Sequence, residues 1–261
     1  DGPSGAWIYE NNEYIGDVSL LVGAEVTYDD NGTEKTFKSV VTCPVSRPDE
    51  CGSENDPACF EGQGTKFWGF QPVDGYAASY PNEQIAISTD TSSWPDSWPK
   101  SWPNDNCESG EWCGYFGKDT QLIQQESFFV MNDNNDREFN GGVSSNTHSY
   151  DPGNELNGLG LEVKVSGMQW QQFLAQDCLF FLYEIRNNSQ SDYKKVVLGE
   201  LVGTYVGNVP TEGEDDWSFF DVNEDIAYTG DFDNTIDDNP AWVGDVGMVA
   251  YAFLESPGIS N

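Results

Sequence analysis

The chain has 261 residues, with 45 Asp and Glu against 11 Lys and Arg, and a formal net charge of −34. Acidity of this strength excludes nucleic acid and anionic membrane surfaces as partners, because binding phosphate requires Lys and Arg. Its 15 Phe, 12 Tyr and 9 Trp exclude an acidic disordered chain, and the sequence has no run of about 18 apolar residues that would span a membrane.

Period-two patterns and β-branched or aromatic runs dominate, and long helical periodicity is missing. Val18 to Tyr28 is predicted as a strand, turned at Asp29-Asp30-Asn31-Gly32 into a partner strand from Glu34 to Cys43. Asn-Gly between two alternating runs is a strong hairpin signal. From Cys43 to about residue 67 the sequence is polar and carries cysteines, which predicts a stapled loop insertion. A second insertion is expected over 90–113. It holds a local repeat: Ser93-Trp94-Pro95, Ser97-Trp98-Pro99 and Ser101-Trp102-Pro103.

Ser127 to Met131 is a short apolar strand, and Leu159 to Ser166 alternates strongly. Trp170 to Asp177 hints at a helix, with an edge-strand continuation equally open. Leu179 to Arg186, Lys195 to Val206 and Val246 to Leu254 complete the predicted strands. Strands joined by long Gly-, Asn- and Asp-rich loops imply a mainly β protein, an antiparallel β-sandwich or jelly-roll-like fold. One domain over 1–261 is expected, with a boundary near residue 115 as the weaker option. The start at Asp1 and the Pro-Gly near the end fit a processed protein or a piece of a longer one.

The six cysteines are Cys43, Cys51, Cys59, Cys107, Cys113 and Cys178. No CxxC pair is present, which disfavours zinc. Disulfides fit better and imply an oxidising, extracellular or cell-surface setting. Of the fifteen connectivities that sequence permits, short loops favour the pairs 107–113 and 51–59, and 43–178 would tie a strand end to an apolar strand.

Many of the acids are clustered. Asp221, Asn223 and Asp225 have the spacing that brings alternate side chains onto one point. Asp133, Asn135 and Asp136, with Glu138 nearby, form a second oxygen-rich turn. Asp231 and Asp233, with Asp237 or Asp238, form a third. Calcium takes six to eight oxygens at roughly 2.3–2.6 Å, so each cluster is a candidate Ca2+ site. The full EF-hand pattern is absent. Asp and Asn also favour hydrated turns without any metal, and adaptation to high salt would suit the same composition.

The tryptophan repeat has two readings. Trp94, Trp98 and Trp102 could stack on sugar rings, or the segment could be an extended strap whose rings pack onto a sheet. For catalysis, His148 is the only histidine and sits in a polar Ser/Asn/Thr stretch without a nucleophile elbow. Glu162 and Glu184 could face a groove as a glycosidase pair, but strand alternation equally turns them to solvent. No phosphate-binding glycine loop is present. A non-enzymatic protein is therefore expected. Asn31-Gly32-Thr33 and Asn187-Asn188-Ser189 match the N-glycosylation acceptor pattern.

Several segments resemble a group of uncharacterised, secreted, multidomain β-rich proteins of the Bacteroidetes–Ignavibacteria type, exported by type IX secretion. They are Asp1-Gly-Pro-Ser-Gly5, Ser92 to Pro99, Gly114 to Lys118 and Gln125 to Asp136, then Gly158 to Val163, Phe180 to Asn187 and Tyr251 to Gly258. The resemblance runs the length of the chain and implies a surface or released β-rich region. It implies no catalytic residues. The cysteine-bearing inserts at 43–59 and 107–113 depart from the group's pattern.

Together these readings predict an extracellular structural or adhesive protein, such as a subunit of a filament, sheath or surface layer. Its partners would be itself or other surface proteins. A carbohydrate-binding module is the alternative, and a secreted hydrolase the more distant one.

Overall fold

The structure is a computed structural model that describes residues 5–7, 9, 11–30, 32–42, 69–73, 75–76, 85–95, 110–117, 122–134, 158–189, 192–207, 215–237 and 239–255. The fold is mainly β, with antiparallel sheets. In chain order the strands are β1 (Gly5–Ala6), β2 (Glu13–Asp30), β3 (Thr33–Thr42), β4 (Gln71–Pro72), β5 (Ala86–Ile87) and β6 (Gln125–Asn132). They continue with β7 (Leu161–Gln169), β8 (Leu179–Asn187), β9 (Val196–Thr204), β10 (Trp217–Asp221), β11 (Ile226–Gly230) and β12 (Met248–Ala252). A 3-10 turn spans Thr91–Ser93, capped by the Asp90 carboxylate, which accepts from the Ser92 amide at 2.9 Å. Among the described residues no helix is long and apolar enough to cross a membrane.

Where the sequence led to one domain, the chain divides into two compact units. One comprises Leu20–Gly199, and the other comprises Asp1–Ser19 with Glu200–Asn261. The boundaries fall inside β2 and β9 rather than near residue 115.

In the Leu20–Gly199 unit, β2 and β3 form the expected hairpin. Asp30 pairs with Thr33 across Asn31-Gly32, and Gly32 has φ +85°, a left-handed conformation that suits glycine. Leu20, Val22, Ala24 and Val26 are buried on one side of β2, a period-two stripe. The second sheet runs β4-β6-β7-β8, with β5 also on β6. Met131 of β6 and Leu161, Val163 and Val165 of β7 join the β2 stripe, Val41, Phe70 and Leu159 in one apolar cluster. Phe128 and Val130, on the opposite side of β6, form a second cluster with Ala86, flanked by Val73, Tyr76, Trp94 and Trp112.

Trp170 to Asp177 is neither helix nor strand. It is a run of turns in which Phe173 and Leu174 are solvent-exposed, held by the Cys178 amide donating to the Ala175 carbonyl. Trp170 packs edge-on to Phe180 of β8, but Phe173 and Leu174 are left in solvent, so a helix there would have little apolar face to bury.

The other unit holds β1, the first part of β2 and the last part of β9, with the three-stranded sheet β10-β11-β12. Tyr14 is its buried aromatic centre, edge-on to both Trp7 and Trp242, and its hydroxyl accepts from the Gly247 amide at 3.0 Å.

Leu159 is fully buried and Leu174 is 90% exposed. Leu159→Ala is expected to cost about 3 kcal/mol in urea unfolding, from lost transfer energy plus the cavity left behind. Leu174→Ala is expected to fall within about 0.5 kcal/mol of the parent.

Candidate metal centre

The three acidic clusters are placed differently. Asp133 is fully buried just after β6, and both of its carboxylate oxygens are engaged: Leu159 N–H donates to Oδ2 at 2.5 Å and Leu161 N–H to Oδ1 at 2.7 Å. It clamps the entry to β7. Gly158 has φ +76°, and a Cβ there would fall 2.5 Å from the Asp133 carbonyl oxygen, so the clamp needs a glycine beside it. Asn135, Asp136 and Glu138 lie outside the described residues.

Asp221, Asn223 and Asp225 form the turn between β10 and β11. The Asp221 Oδ1 accepts from the Asn223 amide at 2.8 Å and the Glu224 amide at 3.3 Å, while the Asp225 amide donates to the Asp221 carbonyl at 2.9 Å. Asp225 has φ +59°, which Asp tolerates better than most residues. These positions do the work of a hairpin turn, and among the described residues no third acid joins Asp221 and Asp225 at one point.

The third cluster is brought together, with a different membership. Asp231 and Asp233 converge with Asp215, one carboxylate oxygen from each lying within 4.8 Å of the others. Asp237 is exposed and not part of the group, and Asp238 lies outside the described residues. The hairpin register explains why Asp215 and Asp216 are near. Trp217 pairs with Gly230, so the acids just before Trp217 stand beside those just after Gly230 at the hairpin's open end. Fifteen residues separate Asp216 from Asp231 in sequence, so no local spacing marks their proximity, and only the hairpin register brings them close.

Asp231 is only 2% exposed. Its Oδ1 accepts from the Thr235 amide at 3.2 Å, and its Oδ2 is buried without a hydrogen-bond partner. Asp216 is arranged the same way: Oδ2 accepts from the Val206 amide at 3.0 Å, and Oδ1 is buried and unpartnered. Asp233 receives both the amide and the hydroxyl of Thr235, at 3.0 and 2.7 Å. Burial pushes the Asp231 carboxyl above the usual aspartate range, and the charges of Asp215 and Asp233 add to the rise against the lowering amide bonds. Burial raises Asp216 likewise, helped by the Asp231 and Asp215 charges. Asp233 is lowered, chiefly by the Thr235 hydroxyl and amide. Chemically, the set is an all-oxygen, multiply anionic pocket suited to a hard cation.

The remaining sequence candidates fall elsewhere. Trp94 is half-buried. Its indole N–H donates to the Ile87 carbonyl at 2.9 Å, and its ring stacks on Trp112 at 6.0 Å, beside Phe128 and Val130. It packs onto the sheet as the strap reading expects; Trp98 and Trp102 lie outside the described residues. Cys178 is free and exposed, which overturns the 43–178 pairing. That pairing would tie the end of one strand to an apolar strand, whereas Cys178 ends a solvent-facing turn before β8. Cys113 is buried and disulfide-bonded. The other four cysteines lie outside the described residues, as does His148.

Glu162 and Glu184 lie on adjacent strands, opposite Arg186 and Lys164 respectively. With Ile185 these four residues line a shallow depression of about 180 Å³. This is a cross-strand charge lattice, not two acids facing each other across a cleft. No protein-family model, curated protein or solved structure matches the chain.

Two expectations follow for stability. Asp133→Ala strands two buried amides and is expected to cost about 3 kcal/mol in denaturant unfolding. For Asp216 and Asp231 the folded-state pKa lies above the unfolded one. Their contribution is therefore fully present below the ordinary aspartate value and lost as pH rises through the elevated one. With chelator present, the thermal midpoint should accordingly rise on acidification from neutral pH into that window, and Asp216→Asn should reduce the rise.

Proposed function

We propose that the chain is an extracellular structural or adhesive protein of β-sandwich or jelly-roll build, working through contacts with copies of itself or with other surface proteins. Calcium in the acidic bends and disulfides in the loop insertions would stabilise it, and it would carry no catalytic activity. A secreted, cell-surface setting agrees with the resemblance noted in the sequence and with the disulfide at Cys113.

The observation that carries this reading is the amount of apolar side chain left in solvent on regular strands. Leu179 and Phe181 on β8, Val196, Val197, Leu198 and Leu201 on β9, Phe219 and Phe220 on β10 and Met248 on β12 are all exposed. Isolated exposed apolar residues are ordinary, but rows of them on sheet strands mark surfaces made for association. Strong net negative charge opposes that association until cations screen it. Assembly should therefore depend on salt and divalent ions.

The carbohydrate-binding alternative needs accessible indoles. Trp94 supplies little, since its ring is stacked on Trp112 and its N–H is satisfied.

Sedimentation velocity on concentrated protein with millimolar calcium should show reversible oligomers. Phe219→Lys combined with Phe220→Lys should raise the dissociation constant by about tenfold or more, as expected when apolar interface anchors are lost. A monomer at every concentration, with and without calcium, would refute the assembly reading. Trp94→Ala should lower the thermal midpoint while leaving polysaccharide pull-down unchanged.

A further inference from the structure

We propose that Asp215, Asp231 and Asp233, with Asp216 as a charged neighbour, form one binding site for a hard, calcium-sized divalent cation at the open end of the β10–β11 hairpin. The inference deepens the calcium part of the reading above and is independent of its assembly part.

Clustered acids alone would not make a site, since many proteins hydrate them. Here one carboxylate of the cluster is itself buried, lies against the Asp233 carboxylate, and keeps an oxygen that accepts no hydrogen bond. Asp231 is 2% exposed and its Oδ2 lacks a hydrogen-bond partner. An ionised oxygen out of water needs a donor or a cation. Asp216 repeats the pattern, with one oxygen fixed by the Val206 amide and the other buried and free. In both, a backbone amide fixes one carboxylate oxygen, and Asp216 adds its charge beside the three converging carboxylates. Thr235 orients Asp233 in the same way.

The cation must come from outside the unit. Residues 1–19 contain four Asp and Glu and residues 200–261 contain fourteen, and neither stretch contains a single Lys, Arg or His. No ammonium, guanidinium or imidazolium of this unit can pair with the site. The donors are all oxygen, which disfavours zinc and copper. Several carboxylates around one point suit the flexible coordination of calcium better than the strict, partly hydrated octahedron of magnesium. The bound ion would tie Asp215, just before β10, to the residues that follow β11.

The test is calcium titration calorimetry on the full chain, in chelator-stripped buffer with enough potassium chloride to suppress diffuse binding to the acidic surface. A second readout is terbium luminescence excited through tryptophan, since the Trp217 indole N–H donates to the Asp231 carbonyl at 3.0 Å. The parent should show one saturable site and a calcium-dependent rise in thermal midpoint. Asp231→Asn should weaken the site at least tenfold and abolish that rise, and Asp237→Asn should change neither. In chelator, Asp231→Asn should unfold at or above the parent's midpoint, because it removes one charge from an uncompensated group. A purely structural aspartate would give the opposite. Should Asp231→Asn fail to fold, the exposed Asp215→Asn and Asp233→Asn carry the same test. Titrations unchanged in these variants, or a parent indifferent to calcium, as expected of carboxyls sharing a proton, would overturn the site. Oligomers that persist without a saturable calcium site would overturn this inference and leave the assembly reading standing.

Discussion

Negative charge without an internal counter-charge constrains the unit formed by residues 1–19 and 200–261. It holds no basic side chain, so within the unit its carboxylates are met by hydroxyls, by backbone N–H groups, by water or by dissolved ions. The chain uses the backbone widely. Amides of Leu159 and Leu161 satisfy Asp133, those of Asn223 and Glu224 satisfy Asp221, and those of Ser92 and Thr235 serve Asp90 and Asp233. Aspartate at a turn thus fixes local geometry and also has its charge dispersed by oriented dipoles. The supply of amides runs out at Asp216 and Asp231, where each carboxylate keeps one buried oxygen unmet.

Apolar burial is unevenly shared. The Leu20–Gly199 unit supplies the larger apolar cluster, with the hairpin stripe on one face of the five-stranded sheet, and tryptophans cover part of the other face. Glu126 anchors the Trp112–Tyr115 segment there, accepting from the Trp112 indole at 2.8 Å and the Tyr115 amide at 2.7 Å. In the other unit the three-stranded sheet leaves Phe219, Phe220 and Met248 in solvent. A small sheet that buries few side chains has little hydrophobic stabilisation of its own. Ions and partners therefore have greater leverage on that unit.

Much of the strand layout was legible in the sequence, because one-sided burial writes itself as alternation. β2 and β3 were announced by their stripe and by Asn31-Gly32, and β6 to β9 and β12 by apolar or alternating runs of adequate length. β10 and β11 were not. Trp217-Ser218-Phe219-Phe220 is a short run hemmed by acids, and with both phenylalanines exposed it has no clean alternation to detect. That omission hid the convergent carboxylates as well. Local spacing marks Asp231 and Asp233, but Asp215 joins them only through the pairing of β10 with β11. Local spacing does not show the surroundings of Asp133, whose buried position depends on a contact with Leu159 and Leu161, more than twenty residues away.

The absence of lysine and arginine beyond Lys195 also bears on how the chain meets proteases. An enzyme of trypsin-like specificity finds its last point of attack at that residue, folded or unfolded. The whole stretch from Val196 onward, carboxylate pocket included, is chemically invisible to it. Durability of this kind comes from composition alone and persists even when the sheet frays.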